Sequence, residues 1–291
     1  MKLRRTDQWI FFFDILLYLN IPLVFSIFFL SLNLLLYSSS SFEIVGIIAS
    51  TSIMMATNGI NVAHELGHRK SFFSRTCSKL LLMPSQYMHF YIEHNFGHHV
   101  NVGTAEDPAT AKYKQSLYSF WITSVIGQYI GAWKLQLKLL KISKYKFFSI
   151  KNDMMFYVIF QLMFIYLIYF NYGITVTIYS LIISVISFLF LETINYIEHY
   201  GLSRKKDKNG RYERVKTIHS WNSNHVVGRL VLYELTRHSD HHFISSKKYQ
   251  VLESIDESPQ LPYGYPTSIL LSMVPPLWFK IMNPRVESYQ N

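Results

Sequence analysis

Cysteine is almost absent: Cys77 is the only one among 291 residues. A lone thiol forms no intrachain disulfide, no Cys-ligated zinc ribbon and no iron–sulfur or rubredoxin-type centre in this chain, so any electrons the protein needs must come from elsewhere. Cys77 itself reads as a small buried residue. Charge is scarce too, at 16% of residues against 50% hydrophobic. Four stretches, 10–37, 43–63, 154–170 and 174–197, are nearly free of charge, and each is close to the ~20 residues that cross a bilayer. They predict an all-α integral membrane protein. The first is not a cleavable leader, because it is too long, lacks a small-residue cleavage site and is followed at once by the second.

The net charge of +10 raises nucleic acid as a partner, and its distribution argues against it. Lys2, Arg4 and Arg5, then Arg69 and Lys70, then 134–151 and 204–216 set the cations beside hydrophobic stretches, the positive-inside pattern. The N-terminus is therefore expected in the cytoplasm, and no nucleic-acid partner is expected.

From that start the first two stretches leave and return, delivering His64 to the cytoplasmic face. Segment 79–92 is a short apolar run interrupted by Pro84, Ser85 and Gln86, too short to cross and so re-entrant or interfacial. Segment 116–148 mixes Trp121, Tyr129 and Trp133 with Lys134, Lys138 and Lys141, as an amphipathic interfacial helix does. Stretches 154–170 and 174–197 form an out-and-back hairpin turning at Asn171-Tyr172-Gly173. Asn209-Gly210 marks a tight turn within 203–216, possible as a β-hairpin, and 268–279, broken by Pro275-Pro276, packs at the interface. The expected architecture is about four transmembrane helices plus interfacial or re-entrant helices. It forms one domain, 1–291, with every histidine cluster on the cytoplasmic face.

Of twelve histidines, nine fall into four groups: His64 and His68; His94, His98 and His99; His199; and His238, His241 and His242. On a helix, residues three or four apart share a face, so each multi-histidine group can aim two or three imidazoles at one point. An isolated histidine is usually a hydrogen-bonded structural group, but nine at helical spacing and one depth point to metal. Nine imidazoles suffice for two first-row ions and are awkward for one; zinc, iron, copper and nickel all accept such ligands. Glu65, Glu93, Glu106, Asp107, Glu198 and Asp240 are candidates to accept the other ring N–H and fix the tautomers, with Asp107 and Asp240 foremost. Glu192 and Asn195 are expected to face the protein interior. His89, His219 and His225 read as structural.

"HELGHRK" at 64–70, "EHNFGHHVNVGTAEDPA" at 93–109, "NYIEHYGL" at 195–202 and "RHSDHH" at 237–242 resemble, in order, the boxes of the membrane-bound non-haem di-iron alkane hydroxylases, a branch of the fatty-acid desaturase and hydroxylase superfamily. "SWNSNH" at 220–225 and "DESPQLPYGY" at 256–265 fit as well. The resemblance covers roughly 45–285. It implies that all nine clustered histidines bind two iron ions, four on one and five on the other, at the cytoplasmic side of a bacterial inner membrane. It also implies rubredoxin-dependent insertion of one atom of O2 into the terminal methyl of an alkane or related alkyl chain. Two departures stand out. Only 63 residues precede His64, so the chain is expected to lack the family's first hairpin. Gly103 and Ala105 stand where the family commonly has Ala and Pro.

Other readings compete. Within the superfamily, a fatty-acyl or aromatic-methyl hydroxylase or a desaturase would use the same boxes. "HELGH" is also the H-E-x-x-H signature of zinc proteases, with Glu65 as base, but it leaves seven clustered histidines without a role. A metal transporter would place its ligands near mid-bilayer, whereas these groups fall at span ends.

Overall fold

A computed structural model describes residues 3–290, with side chains from 12 to 289, so the N-terminal cluster Lys2, Arg4 and Arg5 lies outside the described side chains. The chain forms two compact units: Met1–Tyr91 with Gln136–Leu191, and Ile92–Leu135 with Glu192–Asn291. Three helical stretches are long and apolar enough to cross a membrane: Phe12–Tyr37, Ser41–Gly67 and Asp153–His199.

The first unit opens with α1 (Leu3–Tyr37) and α2 (Ser41–Met54). In α1, Leu17, Val24, Phe28 and Leu32 are buried while Leu19, Leu23, Ile27 and Leu30 face outward. A helix apolar on both faces is stable only in a core or in lipid. After α2 the helix widens into a π turn, Met55–Ile60, and then becomes α3 (Asn61–Gly67), which carries His64. Buried hydroxyls on these helices return to backbone carbonyls: Ser52 Oγ donates to Ile48 O at 2.7 Å, and Ser187 Oγ donates to Ser52 O at 3.2 Å. The second of these bonds joins two helices where no water competes.

Segment 79–92 is not one continuous helix: it holds the end of α4 (Phe72–Leu82), a turn and the start of α5 (Phe90–Glu93), most of it buried. Cys77 is buried on α4.

The last long helix, α8 (Asp153–His199), has 47 residues. A straight helix of that length would span about 70 Å. It breaks at Gly173, whose φ of 76° and ψ of 177° are non-helical. Gln161 hydrogen-bonds Gln86 and Phe188 stacks on the next side chain, Tyr87, with centroids 4.8 Å apart. Along a straight helix residues 161 and 188 would be about 40 Å apart. The chain therefore reverses at Gly173, and the expected out-and-back hairpin is present with a tighter turn than Asn171-Tyr172-Gly173 anticipated.

In the second unit, α5 runs through a π turn, His94–His98, into α6 (His99–Asn101). Helix α7 (Leu117–Ile142) begins in this unit and is not amphipathic in the expected sense. Tyr118, Ile122, Ile126, Tyr129 and Ile130 face outward, while Ser124 and Gln128 are buried. Lysines gather only near its C-terminal end, at Lys134, Lys138 and Lys141. The inward polar pair has a reason: Ser124 Oγ and Gln128 Nε2 donate to the buried Glu192 carboxylate at 2.6 and 2.8 Å, and Asn195 Nδ2 donates at 3.3 Å.

The Asn209-Gly210 turn is present, with Gly210 at φ 75°. It closes a minimal hairpin rather than strands: Lys206 and Tyr212 make a single antiparallel bridge, and no strand occurs among the described residues. Short helices α9 (Val226–Val231) and α10 (His238–Phe243) follow. Then come α11 (Tyr265–Ser272) and α12 (Pro275–Gln290). Pro275-Pro276 opens α12, where a missing N–H costs nothing.

Candidate metal centre

The π turn at His94–His98 reassigns the histidines. In an α-helix His94 and His98 would share a face; a π turn closes i to i+5 instead. His94 therefore meets His99, with Nε2 atoms 3.0 Å apart. His98 turns toward His199, His238 and His242, and the facing nitrogens of these four buried rings lie within 4.8 Å of one another. Helix α10 divides in the same way. His238 and His242 share a face, Nε2 to Nε2 2.9 Å, while the His241 ring lies 4.9 Å from that of His99. Two of the boxes are thus shared between two sets. In the first unit, His64 and His68 on α3 place their Nε2 atoms 3.2 Å apart.

One carboxylate backs a ring, and a second lies among the facing nitrogens. Asp107 Oδ2 lies 2.9 Å from His98 Nδ1, and the carboxylate is itself fixed by Thr110 Oγ1 at 2.6 Å and by the Ala109 N–H at 3.1 Å. Burial pushes the Asp107 carboxyl up, but the His98 ring and the two hydroxyl and imidazole hydrogen bonds outweigh it, leaving it below the ordinary carboxylate value. Glu198 Oε2 lies 3.2 Å from His238 Nε2, and its Oε1 accepts the Tyr265 hydroxyl at 2.8 Å. Burial, reinforced by His238, His99 and His98, holds His242 well below the usual imidazole value, so its ring stays neutral with a lone pair free to ligate.

These four rings fit a metal ion. His238 Nε2 lies 3.0 Å from His199 Nε2, 2.9 Å from His242 Nε2 and 3.2 Å from Glu198 Oε2. One ring proton does not satisfy three such contacts. Nitrogens bound at right angles to an ion at about 2.0–2.1 Å would themselves be about 2.9 Å apart. His98 Nε2 is buried without a hydrogen-bond partner while its Nδ1 is taken by Asp107. An all-imidazole set accepts iron, zinc, copper or nickel. His94, His99 and His241 form a second convergent set in this unit.

The remaining candidates divide. Asp240 accepts from Lys247 Nζ at 2.6 Å and the Glu253 N–H at 2.7 Å, so its described bonds brace α10 rather than a ring. Glu65 pairs with Arg69, whose guanidinium also lies 3.4 Å from Asp14, a poor setting for a free general base. Glu106 is exposed. Glu93 is buried beside His94, and burial, Asp107 and Glu192 push its carboxyl well above the usual range. Glu192 and Asn195 are buried as expected. His219 accepts from the Lys216 N–H at 3.0 Å, His89 is buried, and His225 is exposed beside Gly264. Thr110 and Tyr265, which hold the two carboxylates, escaped sequence reasoning. Only the spacing of Thr110 three residues after Asp107 hinted at a side-chain turn.

Comparison with known proteins supplies the family. Residues 40–269 match the fatty acid desaturase family model. Alkane 1-monooxygenase 2 of Alcanivorax borkumensis is 41% identical over 245 residues, covering 84% of this chain and 64% of that protein. Alkane 1-monooxygenase of Pseudomonas putida is 37% identical over 283 residues, covering 96% and 70%. The xylene/toluene monooxygenase hydroxylase component of Pseudomonas putida is 28% identical, covering 94% and 73%. Against the first of these relatives the chain spans less than two thirds of the length. With a family model over most of its length and relatives of this identity, the chain belongs to the fatty acid desaturase family, grouping with its alkane 1-monooxygenase branch.

Proposed function

We propose that the chain is an integral-membrane di-iron monooxygenase that hydroxylates the terminal methyl of alkanes or related alkyl chains. The observation carrying this reading is the interleaving of two boxes, with His98 and His241 crossing to opposite sets, which suits two neighbouring ions better than one. In the proposed assignment His98, His199, His238 and His242 hold one iron, and His94, His99 and His241 take the other, with His64 and His68 as its remaining ligands. Both units then belong to a single domain, 1–291, with four crossings and the metal face in the cytoplasm of a bacterium.

Bound there, the iron pair would supply the oxidising power toward an unactivated C–H bond that no side chain has. The chain's own groups set the conditions. Asp107 keeps the His98 proton on Nδ1 so that Nε2 offers its lone pair, and Glu198, anchored by Tyr265, flanks His238. The overall reaction consumes the alkane, O2, two electrons and two protons and gives the primary alcohol and water. The electrons would come from a rubredoxin-type donor, a reading supported by the single cysteine of the given sequence, which supplies no iron–sulfur ligands.

The 28% identity to a xylene/toluene monooxygenase component supports aromatic methyl groups as a second substrate class. The deciding experiment measures metal by elemental analysis on detergent-purified protein and then product from octane and from xylene with rubredoxin, its reductase and O2. About two irons per chain and terminal alcohol are expected. One zinc and no iron would sink the reading, and benzylic alcohol alone would favour the second substrate class.

A further inference from the structure

Loop 102–111 of the second unit follows His94, His98 and His99 and carries Asp107. Both ends are fastened by backbone hydrogen bonds to the segment after His199. The Arg204 amide donates to Gly103 O at 2.7 Å, and the Gly201 amide donates to Ala111 O at 2.9 Å. Between these fastenings Asp107 Oδ2 lies 2.9 Å from His98 Nδ1, and the next residue is Pro108.

The middle of the loop rests on α7 at Gly127. A Cβ added to Gly127 would stand 2.6 Å from Pro108 Cβ, 3.5 Å from its Cγ and 3.9 Å from its Cα. Carbon atoms in good contact are about 3.5–4.0 Å apart, so the first of these is an overlap. Neither partner moves aside easily. The pyrrolidine ring closes onto the backbone and has no rotamer that swings its Cβ away. Ser124 and Gln128, on either side of Gly127, donate to the buried Glu192 carboxylate at 2.6 and 2.8 Å, and Trp121 Nε1 donates to Thr193 Oγ1 at 3.1 Å. Helix α7 therefore does not back off without stripping donors from a buried acid. One turn later Gly131 gives the contrast: a Cβ there would meet only Glu93, at 3.6 and 3.9 Å, an ordinary contact. Glycine inside a helix weakens it relative to alanine, so at 127 its use is the close approach.

We infer that Gly127 is a positioning residue for the four-histidine set: the space left by its missing side chain seats Pro108, and that seat fixes the Asp107 carboxylate against His98. The inference rests on the reading of that set as an iron site and is independent of the substrate. A methyl group at 127 displaces Pro108 and carries the adjoining Asp107 with it, while the loop ends stay fastened. The His98 ring then loses the acceptor that orients it, and iron binding weakens although no ligand has changed.

The test compares detergent-purified, full-length variants by iron affinity, from competition with a calibrated chelator, and by Mössbauer spectra of the bound iron. Gly127→Ala should lower the affinity for the iron of this set about 10- to 100-fold and alter its signal, whereas Gly131→Ala should change neither. Pro108→Gly removes the clashing atoms, so Gly127→Ala combined with Pro108→Gly should match Pro108→Gly alone. In an Asp107→Asn background Gly127→Ala should cost no further affinity, because the carboxylate it acts through is already gone. Unchanged affinity in Gly127→Ala overturns the inference. So does an equal loss in Gly131→Ala, absence of rescue by Pro108→Gly, or a full further loss on top of Asp107→Asn. Where Gly127→Ala alone does not fold, the rescue by Pro108→Gly decides. Iron missing from the wild type overturns the site reading and the inference together; with iron present there, the other adverse outcomes overturn the inference alone.

Discussion

Asp107 and His98 form a buried carboxylate–imidazole pair, Oδ2 to Nδ1 2.9 Å, on the side of the ring away from the other three histidines of its set. Such partners fix which ring nitrogen is free to ligate. Asp107→Asn is expected to leave the fold intact and weaken iron binding about 10- to 100-fold. Competition with a calibrated chelator measures this, and unchanged affinity would limit the pair to a structural role.

His98 and His241 belong to different sets although each stands in a box with members of the other. His98→Ala and His241→Ala are each expected to lower iron from about two toward about one per chain and to abolish product. His89→Ala should leave iron content and turnover largely intact. Elemental analysis of the three variants separates ligands from bystanders.

Burial lowers the imidazole of His89 to about 3. The folded state thus binds this proton less readily than the unfolded chain, with its ordinary value near 6.5. The neutral ring's contribution is complete above about pH 6.5 and is lost as pH falls toward about 3, by up to about 1.4 kcal/mol per unit. His89→Phe is expected to flatten the fall of Tm in detergent between pH 6.5 and 4. An identical profile in the variant would remove His89 as the cause.

Tyr265 donates to Glu198 at 2.8 Å, and both are buried. Tyr265→Phe deletes a hydrogen bond to an acidic group at nearly constant volume, at an expected cost of about 1.5–3 kcal/mol. Denaturation of metal-free protein reads that cost apart from any effect on iron.

Gly173 sits where only glycine is comfortable, yet an added Cβ would meet nothing within 4 Å. Gly173→Ala should therefore cost about 1–3 kcal/mol through backbone strain alone. Loss of stability below that range would show that the turn relaxes to another conformation.

The long apolar stretches, the reversal near Gly173 and the turn at Gly210 were legible because each is a local property of composition or backbone freedom. The nine clustered histidines were visible as boxes, but their division was not. That depends on one additional residue in the turn at His94–His98, and nothing in "HNFGH" distinguishes a π turn from an α turn. Helix α7 misled for a related reason: the meaning of Ser124 and Gln128 depends on Glu192, far away in sequence. Asp240 reads in the sequence as well placed as Asp107, but in the structure Lys247 and the Glu253 N–H both bind its Oδ2, contacts the sequence does not announce.

The buried polar contact of Ser124 and Gln128 with Glu192 also bears on the order of synthesis. The two donors leave the ribosome 68 and 64 residues before the acid they bind. An acidic side chain entering an apolar environment alone costs several kcal/mol, about 2.5–3.5 on insertion scales. Glu192 arrives with its acceptors' partners already made, so its cost falls on a helix pair rather than on a solitary emerging segment. A circular permutant that made residue 192 before α7 would have to carry that carboxyl through assembly without them.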